Sequence, residues 1–421
     1  MTQQETEVQR CQSIGVALAV MTLEPHGGVA DQVTNLALEL PKYGVLPVVL
    51  VRNPLASGHG YVAMLRNAGV RVMAIQDEQY RAARNACRFL SWIALPIAVV
   101  DSAIHHKTLA ASQHTIWGVL RRLGYAGLDL LFGFWLLYFR LGRGFQLVHF
   151  RKPDSWPWIG RARRFGMATI YTEDTIPWDH TLKYYQGLSA VASSVNVATA
   201  VSQASADALG PYLPMHQPIR VIPNVVSTGS SAPIHRCIEH DHFVVGHISR
   251  LDPQKDLVTL LLAARRTAGQ DRAVQFHVFG NGPLRNDLEL LTRDLGLSDH
   301  VKFRGAFVKA DLAKIMAEID VVALSSHYEG FGVVLAEGMA FAKPVVATKV
   351  GGVPNVVEHG ITGILVPPRD PEALAAAILT LSGDPERYQC MANAARERYL
   401  AYFTPERVVP QYVALYKRLI P

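Results

Sequence analysis

With 421 residues, 49% of them hydrophobic, the chain is long enough for two or three domains with buried cores and too apolar for a disordered protein. Its four cysteines, Cys11, Cys87, Cys237 and Cys390, lie far apart with no CxxC pair, which argues against a disulfide framework or a zinc site and for a reducing compartment. The net charge of +6 resides in the first half: residues 1–222 hold 20 Lys+Arg against 14 Asp+Glu, and residues 223–421 hold 21 of each.

In chain order, the polar start "MTQQETEVQRCQ" lacks the basic stretch and apolar core of a secretory leader, so a cytoplasmic protein is expected. "IGVALAV" reads as a buried strand, "MTLEPHGG" as a glycine loop and "VADQVTNLALELPKYG" as an amphipathic helix. "VLPVVLV", "VRVMAI", "LVHF", "ATIYTED", "VNVATAVS" and "IRVIPN" continue a series of strands ending in polar loops. A Ser-, Gly- and Pro-rich stretch, "VVSTGSSAPIHRCIEHD", reads as a linker. The alternation then restarts with "HFVVGHIS", "DLVTLLLAARRT", "VQFHVFG", "LRNDLELLTRDLG", "VKFRG", "DLAKIMAEI", "DVVALSS", "PVVATKV" and "PEALAAAILTLSG". Strands alternating with helices predict parallel sheets covered on both faces. The expected organisation is α/β, with two Rossmann-like doubly wound domains facing across a cleft: 1–222, a linker at 223–240, and 241–404. A final helix over about 405–421 crosses back to the first domain.

Ligands of open α/β sheets bind beyond the carboxyl ends of the strands. There the second domain carries Arg250 and Lys255 in "RLDPQKD", "NGP" after "HVFG", and "HYEGFG" after "VALSS". Each is weak alone, since an Arg-Lys pair at a helix start is most often a solvated face and such glycines are most often plain turns. Their convergence on successive strand ends, with a helix N-terminus aimed at the same rim, favours a diphosphate. Glu329 and Glu337 stand eight positions apart. One lies in the loop and the other well into the following helix, which does not fit an acid/base pair facing across one bond. Carboxylates beside a diphosphate suit hydroxyls, and a nucleoside-diphosphate sugar offers them at both ends.

"SRLDPQK", "FGNGP", "SSHYEGFGVVLAEGMAFAKPVVATKVGG" and "EHGITGILVPP" resemble the nucleotide-sugar domain of retaining glycosyltransferases of family 4, which have the GT-B fold and an E-x7-E motif. The resemblance covers nearly the whole chain, most closely about 244–370 and least at 80–145. It implies sugar transfer from a nucleotide donor with retention of configuration, no cofactor and no required metal. It assigns Arg250 and Lys255 to the donor diphosphate, Glu329 to the sugar hydroxyls, and Glu337 to the ribose. Gly330, Phe331 and Gly332 belong to the turn facing sugar and phosphate. Gly280 joins the donor-binding set, and Arg304 is expected near the nucleobase. "PHGGVADQVTNLALEL" resembles the first domain's glycine loop and helix, with Gly27 and Gly28 near phosphate and acceptor. "LVHFRKP" and "IYTEDT" resemble two loops in which relatives often carry histidines. His149 is kept, Arg151 stands where a second His is frequent, and Asp174 replaces the His near the donor sugar, which implies a different sugar or acceptor contact. "IPNVV" lacks a common Gly, and Asn355 stands where Glu is frequent.

Residues 81–164 hold 13 Lys+Arg against Asp101, Asp129 and Asp154, which points to an anionic partner. Within 81–145, "FLSWIALPIAVV" and "LLFGFWLLYF" are flanked by Arg84, Arg88, Arg121, Arg122, Arg140 and Arg143. Both runs fall short of the roughly 20 residues of a spanning helix. They suit docking in the headgroup region of an anionic membrane, the alternative being a helical elaboration packed on the first domain. The expected protein is a hexosyltransferase peripheral on the inner face of the plasma membrane. It takes UDP- in preference to GDP-sugars to a lipid-linked or oligosaccharide acceptor in surface polysaccharide synthesis, with no nucleic-acid partner. A GT-B phosphorylase or nucleotide-sugar epimerase, and a non-catalytic sugar-nucleotide scaffold, remain open from the residues alone.

Overall fold

The computed structural model describes residues 14–20, 23, 28–55, 60–76, 136, 140–141, 144–151, 156–176, 182–215, 217–228, 242–271 and 273–420. Two parallel sheets organise them. The first holds β1 (Ile14–Val20), β2 (Val45–Leu55), β3 (Arg71–Gln76), β4 (Leu147–Arg151), β5 (Ala168–Glu173), β6 (Val197–Ala200) and β7 (Ile219–Val221), in the order β3-β2-β1-β4-β5-β6-β7. With it go α1 (Gly28–Glu39), α2 (Gly60–Asn67), α3 (Trp156–Arg164), α4 (Leu182–Ser189) and α5 (Gln203–Leu209). Its central strands are buried, the last five residues of β1, all apolar, and all of β4, which includes His149 and Arg151, as strands covered on both faces must be.

The second sheet holds β8 (Phe243–Ile248), β9 (Val274–Phe279), β10 (Val301–Gly305), β11 (Val321–Leu324), β12 (Val345–Thr348) and β13 (Gly363–Val366), in the order β10-β9-β8-β11-β12-β13. Its helices are α6 (Leu257–Gln270), α7 (Arg285–Asp294), α8 (Leu312–Glu318), α9 (Val333–Ala340), α10 (Val353–Val356), α11 (Pro371–Gly383) and α12 (Pro385–Tyr402). The sequence marks β13 only through the motif "EHGITGILVPP" and shows no helical signal over α12. In each sheet the chain steps outward from the first strand and returns to its other side, so order reverses between β1 and β4 and between β8 and β11. A crevice opens at the carboxyl ends of such a pair. The two reversals place Gly28 and Arg151 on one side and Arg250 and Glu329 on the other.

The last three helices start alike. α11 and α12 begin Asp-Pro-Glu: Asp370 accepts from the Ala373 amide and Asp384 from the Arg387 amide, both at 2.9 Å, with proline first in the helix where no amide is needed. Thr404-Pro405-Glu406 repeats the pattern at α13 (Pro405–Leu419), although the Thr404 side chain makes no capping bond. α13 returns to the first domain, where Val408, Val409, Tyr412, Val413, Leu415 and Tyr416 join the core built by β1, β2 and α1.

Gly27, residues 229–240 of the linker, and all of the basic segment except 136, 140, 141, 144 and 145 lie outside the described residues, and with them the expected membrane docking. Among the described residues no helix is long and apolar enough to cross a membrane.

Candidate active site

A cleft of about 540 Å³ lies between the two sheets, lined from the first domain by Gly28, Asp31, Tyr61, Asp174, Thr175, Ile176 and Asn224. From the second domain come Arg250, Lys255, Gly280, Asn281, Phe307, Lys309, Tyr328, Glu329, Gly330, Phe331, Gly332 and Glu337.

Three loops at neighbouring strand ends build the cationic wall. After β8, Arg250 is largely exposed, its nearest carboxylate being Asp252 at 3.6 Å. Lys255 closes the short turn Pro253–Lys255, and Asp256 follows in a left-handed conformation (φ 45°) to start α6. The loop after β9 crosses under it. Gly280 has φ 134°, and a Cβ there would stand 1.8 Å from the Ser249 carbonyl oxygen. Only glycine allows that approach. After β11, Ser326 to Gly332 carry the chain into α9, with Gly332 at φ 83° as the cap. The helix presents its free amides and positive dipole end to the cleft.

Each glutamate has its own lysine. Lys255 Nζ donates to Glu329 Oε1 at 2.5 Å, and Ser326 Oγ donates to the same oxygen at 2.8 Å. Lys309 Nζ donates to Glu337 Oε1 at 3.1 Å. Both carboxylates are largely buried, and among the described residues neither Oε2 atom accepts a hydrogen bond, which suits it to a hydroxyl donor. Burial works against the Lys309 ammonium, but the charges of Glu337 and then Asp31 outweigh it, so its pKa rises above the ordinary lysine value. Asp31 lies in the first turn of α1, on the opposite domain, and accepts from the Tyr61 hydroxyl. On the second domain's wall, burial and the negative charges of Asp252 and Glu329 push the Tyr328 phenol up to about 12.

Beneath the wall, His247 of β8 is buried between the Ala323 carbonyl, 3.0 Å from Nδ1, and Ser249 Oγ, 2.7 Å from Nε2. Burial, then the charge of Lys255, lowers its pKa to about 4, so it is a neutral brace for the cleft floor.

The remaining sequence-assigned residues fall elsewhere or act differently. His149 does not reach the cleft: it is fully buried, with Nδ1 2.8 Å from the Tyr416 hydroxyl and Nε2 2.6 Å from Thr172 Oγ1. Burial, with the charge of Arg151 adding to it, holds it well below the usual imidazole range. Arg304 is not in the lining; it donates to Glu318 Oε2 at 2.6 Å and covers the Phe279 ring. That strand end offers Phe307 and Lys309 to the cleft instead. Asp174 does line it, but both its carboxylate oxygens are taken by Arg151, so the two departures from the family pattern form one ion pair. Sequence reading missed Lys309, Asp31 and Tyr61. The strand-end rule applied to the loop after β10 points to the lysine, whereas Tyr61 belongs to a helix with no motif.

Comparison with known proteins covers the second domain best. Residues 236–398 match the family model "Glycosyl transferases group 1". Alpha-D-kanosaminyltransferase of Streptomyces kanamyceticus is 33% identical over 180 residues, 42% of this chain and 46% of that protein. N-acetyl-alpha-D-glucosaminyl L-malate synthase of Bacillus anthracis is 36% identical over 137 residues, 32% of this chain and 35% of that protein. These matches thus span less than half the length of either relative. Over the whole fold, Anabaena Alr3699/HepE, solved in complex with UDP and glucose, superposes with a TM-score of 0.70 at 19% identity, covering 96% of this chain and all of that one. The fold is GT-B, and residues 236–398 carry the glycosyl transferases group 1 pattern within it.

Proposed function

We propose that this protein is a retaining glycosyltransferase that moves a hexose from a nucleoside-diphosphate sugar, UDP in preference to GDP, to a hydroxyl of a lipid-linked or oligosaccharide acceptor. The observation that carries the reading is the convergence on one cleft of Arg250, Lys255, the amides of Gly330 to Gly332 and the N-terminus of α9, beside two glutamates that each keep one oxygen for hydroxyls. Cations and amides at one point suit a diphosphate; carboxylates held by lysines suit the sugar and ribose flanking it.

In this mechanism the bond from the sugar's anomeric carbon to the diphosphate oxygen breaks while that carbon bonds to the acceptor oxygen on the same face. The acceptor's proton passes to the departing phosphate oxygen. Charge grows on the diphosphate as the bond breaks, and Arg250, Lys255 and the α9 dipole meet it without reorganising. No protein base is needed in this step. Glu329 Oε2 fixes the sugar and Glu337 Oε2 the ribose. The likeness to HepE, solved with UDP and glucose bound, and to the sugar-transferring relatives supports this reading.

The arginine-flanked apolar runs of 81–145 support a cytoplasmic enzyme working against an anionic membrane. The test is turnover of a panel of nucleotide hexoses with soluble oligosaccharides and with native lipid extract in anionic vesicles. UDP release with an α-linked product from an α-linked donor is expected, favoured by vesicles at low salt. Donor binding without turnover under every condition would identify a scaffold instead, and an inverted product would exclude the retaining mechanism.

A further inference from the structure

A buried ion pair of the first domain has no part in the chemistry above, yet it sits under the cleft. Arg151 ends β4 and Asp174 follows β5; they are 2% and 9% exposed. Arg151 Nε donates to Asp174 Oδ2 at 2.9 Å, and Nη2 donates to Oδ1 of the same carboxylate and to Asn224 Oδ1 at 3.2 Å. This fork-on-carboxylate geometry is the most directional ion pair available to proteins. It leaves Asp174 no oxygen free of Arg151 with which to read a sugar.

The Asp174 backbone is what the second domain meets. A Cβ on Gly330 would lie 2.1 Å from the Asp174 carbonyl oxygen and 3.0 Å from Thr175 Cα. A Cβ on Gly351 would lie 2.3 Å from Ile176 Cδ1 and 2.1 Å from the Glu329 carbonyl oxygen. Residues 174–176 therefore rest directly on the backbone that carries Glu329. The third partner, Asn224, lies just after β7, where the chain leaves the first domain. Next to it, the Val225 carbonyl accepts from Asn35 Nδ2 at 3.1 Å and the Val226 amide donates to the Phe403 carbonyl at 2.9 Å. One guanidinium thus joins a strand end, the cleft loop and the interdomain segment.

We infer that Arg151, acting through Asp174, is a positioning residue that seats residues 174–176 of the first domain against Glu329 and Gly330 of the second and so sets the geometry of the sugar end of the cleft. The inference rests on the glycosyltransferase reading for its kinetic consequence but not for its structural one. Loosening the pair leaves the diphosphate wall, built wholly from the second domain, in place. It misaligns the sugar and admits water.

The test uses full-length Arg151→Lys, which keeps the charge and loses the fork, with Asp174→Asn as the second variant, since its amide oxygen still accepts from the guanidinium. For Arg151→Lys, kcat is expected to fall at least tenfold while UDP affinity stays within about twofold, with a larger share of donor hydrolysed rather than transferred. Amide exchange should quicken at residues 174–176 and 329–332. Asp174→Asn should retain more activity than Arg151→Lys. Wild-type turnover, or a parallel fall in kcat and UDP affinity, would overturn the inference; so would unchanged exchange at 329–332 in either variant that folds. If the wild type turns over no nucleotide sugar, the functional reading fails, and the exchange measurement alone decides the positioning role.

Discussion

Glu329 and Lys255 show how a single ion pair can hold a site in readiness. The 2.5 Å contact keeps the lysine beside the glutamate, and under the proposed function a diphosphate would compete for the same ammonium. The two residues therefore cannot be read as independent contributors. Lys255→Met is expected to weaken UDP binding at least tenfold, about 1.4 kcal/mol. Glu329→Gln should leave UDP binding equal or tighter, because the lysine is released toward the phosphates, while turnover falls at least a hundredfold. Titration of UDP against both single variants and the double variant measures the coupling, expected at about 1–3 kcal/mol for contacting residues. Additive effects on UDP affinity would show that the pair does not gate the diphosphate. The glutamates, both cations and the glycine turn were legible in the sequence because each follows a strand end in one domain. The pairing of each glutamate with a lysine was not, since Lys255–Glu329 spans 74 positions and Lys309–Glu337 spans 28. The same holds for Arg151 and Asp174, which β4 and β5 bring side by side in neighbouring register.

At the scale of elements, the loops after β8 and β9 pack backbone on backbone at Gly280, whereas Gly28 at the start of α1 has nothing among the described residues within 4 Å of an added Cβ. Gly280→Ala is accordingly expected to lower the melting temperature by several degrees and to weaken UDP binding, since both the 134° φ and the carbonyl 1.8 Å away oppose a side chain. Gly28→Ala should leave the melting temperature unchanged, so any lost activity reports on ligand contact. Equal thermal shifts in the two variants would contradict this division. Most elements follow from period and length: "PEALAAAILTLSG" is α11 residue for residue, and "VKFRG" is β10. β13 and α12 did not stand out for physical reasons. β13 is four residues beginning in glycine, too short to show alternation. The buried stripe of α12 is Tyr388, Met391, Ala392, Ala395 and Tyr399, helical in spacing but without the Leu, Ile and Val that mark a core face.

In the whole molecule, each sheet buries a histidine near the cleft, His149 in the first domain and His247 in the second, and both are held neutral. Their folded pKa values lie below the ordinary 6.5, so as pH falls the unfolded chain takes up protons first. The stability due to neutral burial is complete above about 6.5 and drains away as pH approaches the folded values, about 4 for His247 and lower than usual for His149. Melting temperature is expected to decline steadily between pH 6.5 and 4 and to be flatter above. A melting temperature constant from pH 7 to 4.5 would mean that at least one imidazole is charged in the fold. The C-terminal helix guards one of these residues: its six side chains in the first-domain core, at about 1.5–3 kcal/mol each for full burial, represent roughly 9–18 kcal/mol. That is comparable to the whole stability of a typical domain.

The backbone bond between Val226 and Phe403, with the Tyr399 hydroxyl donating to the Val226 carbonyl at 3.0 Å, clasps the outgoing and returning chains side by side where they pass between the halves. Two parallel tethers pinned at one point behave as the leaves of a door hinge. They permit rotation about their common line and resist sliding and twisting. Opening about that line widens the cleft as a wedge, with its mouth travelling farther than its hinge-side wall.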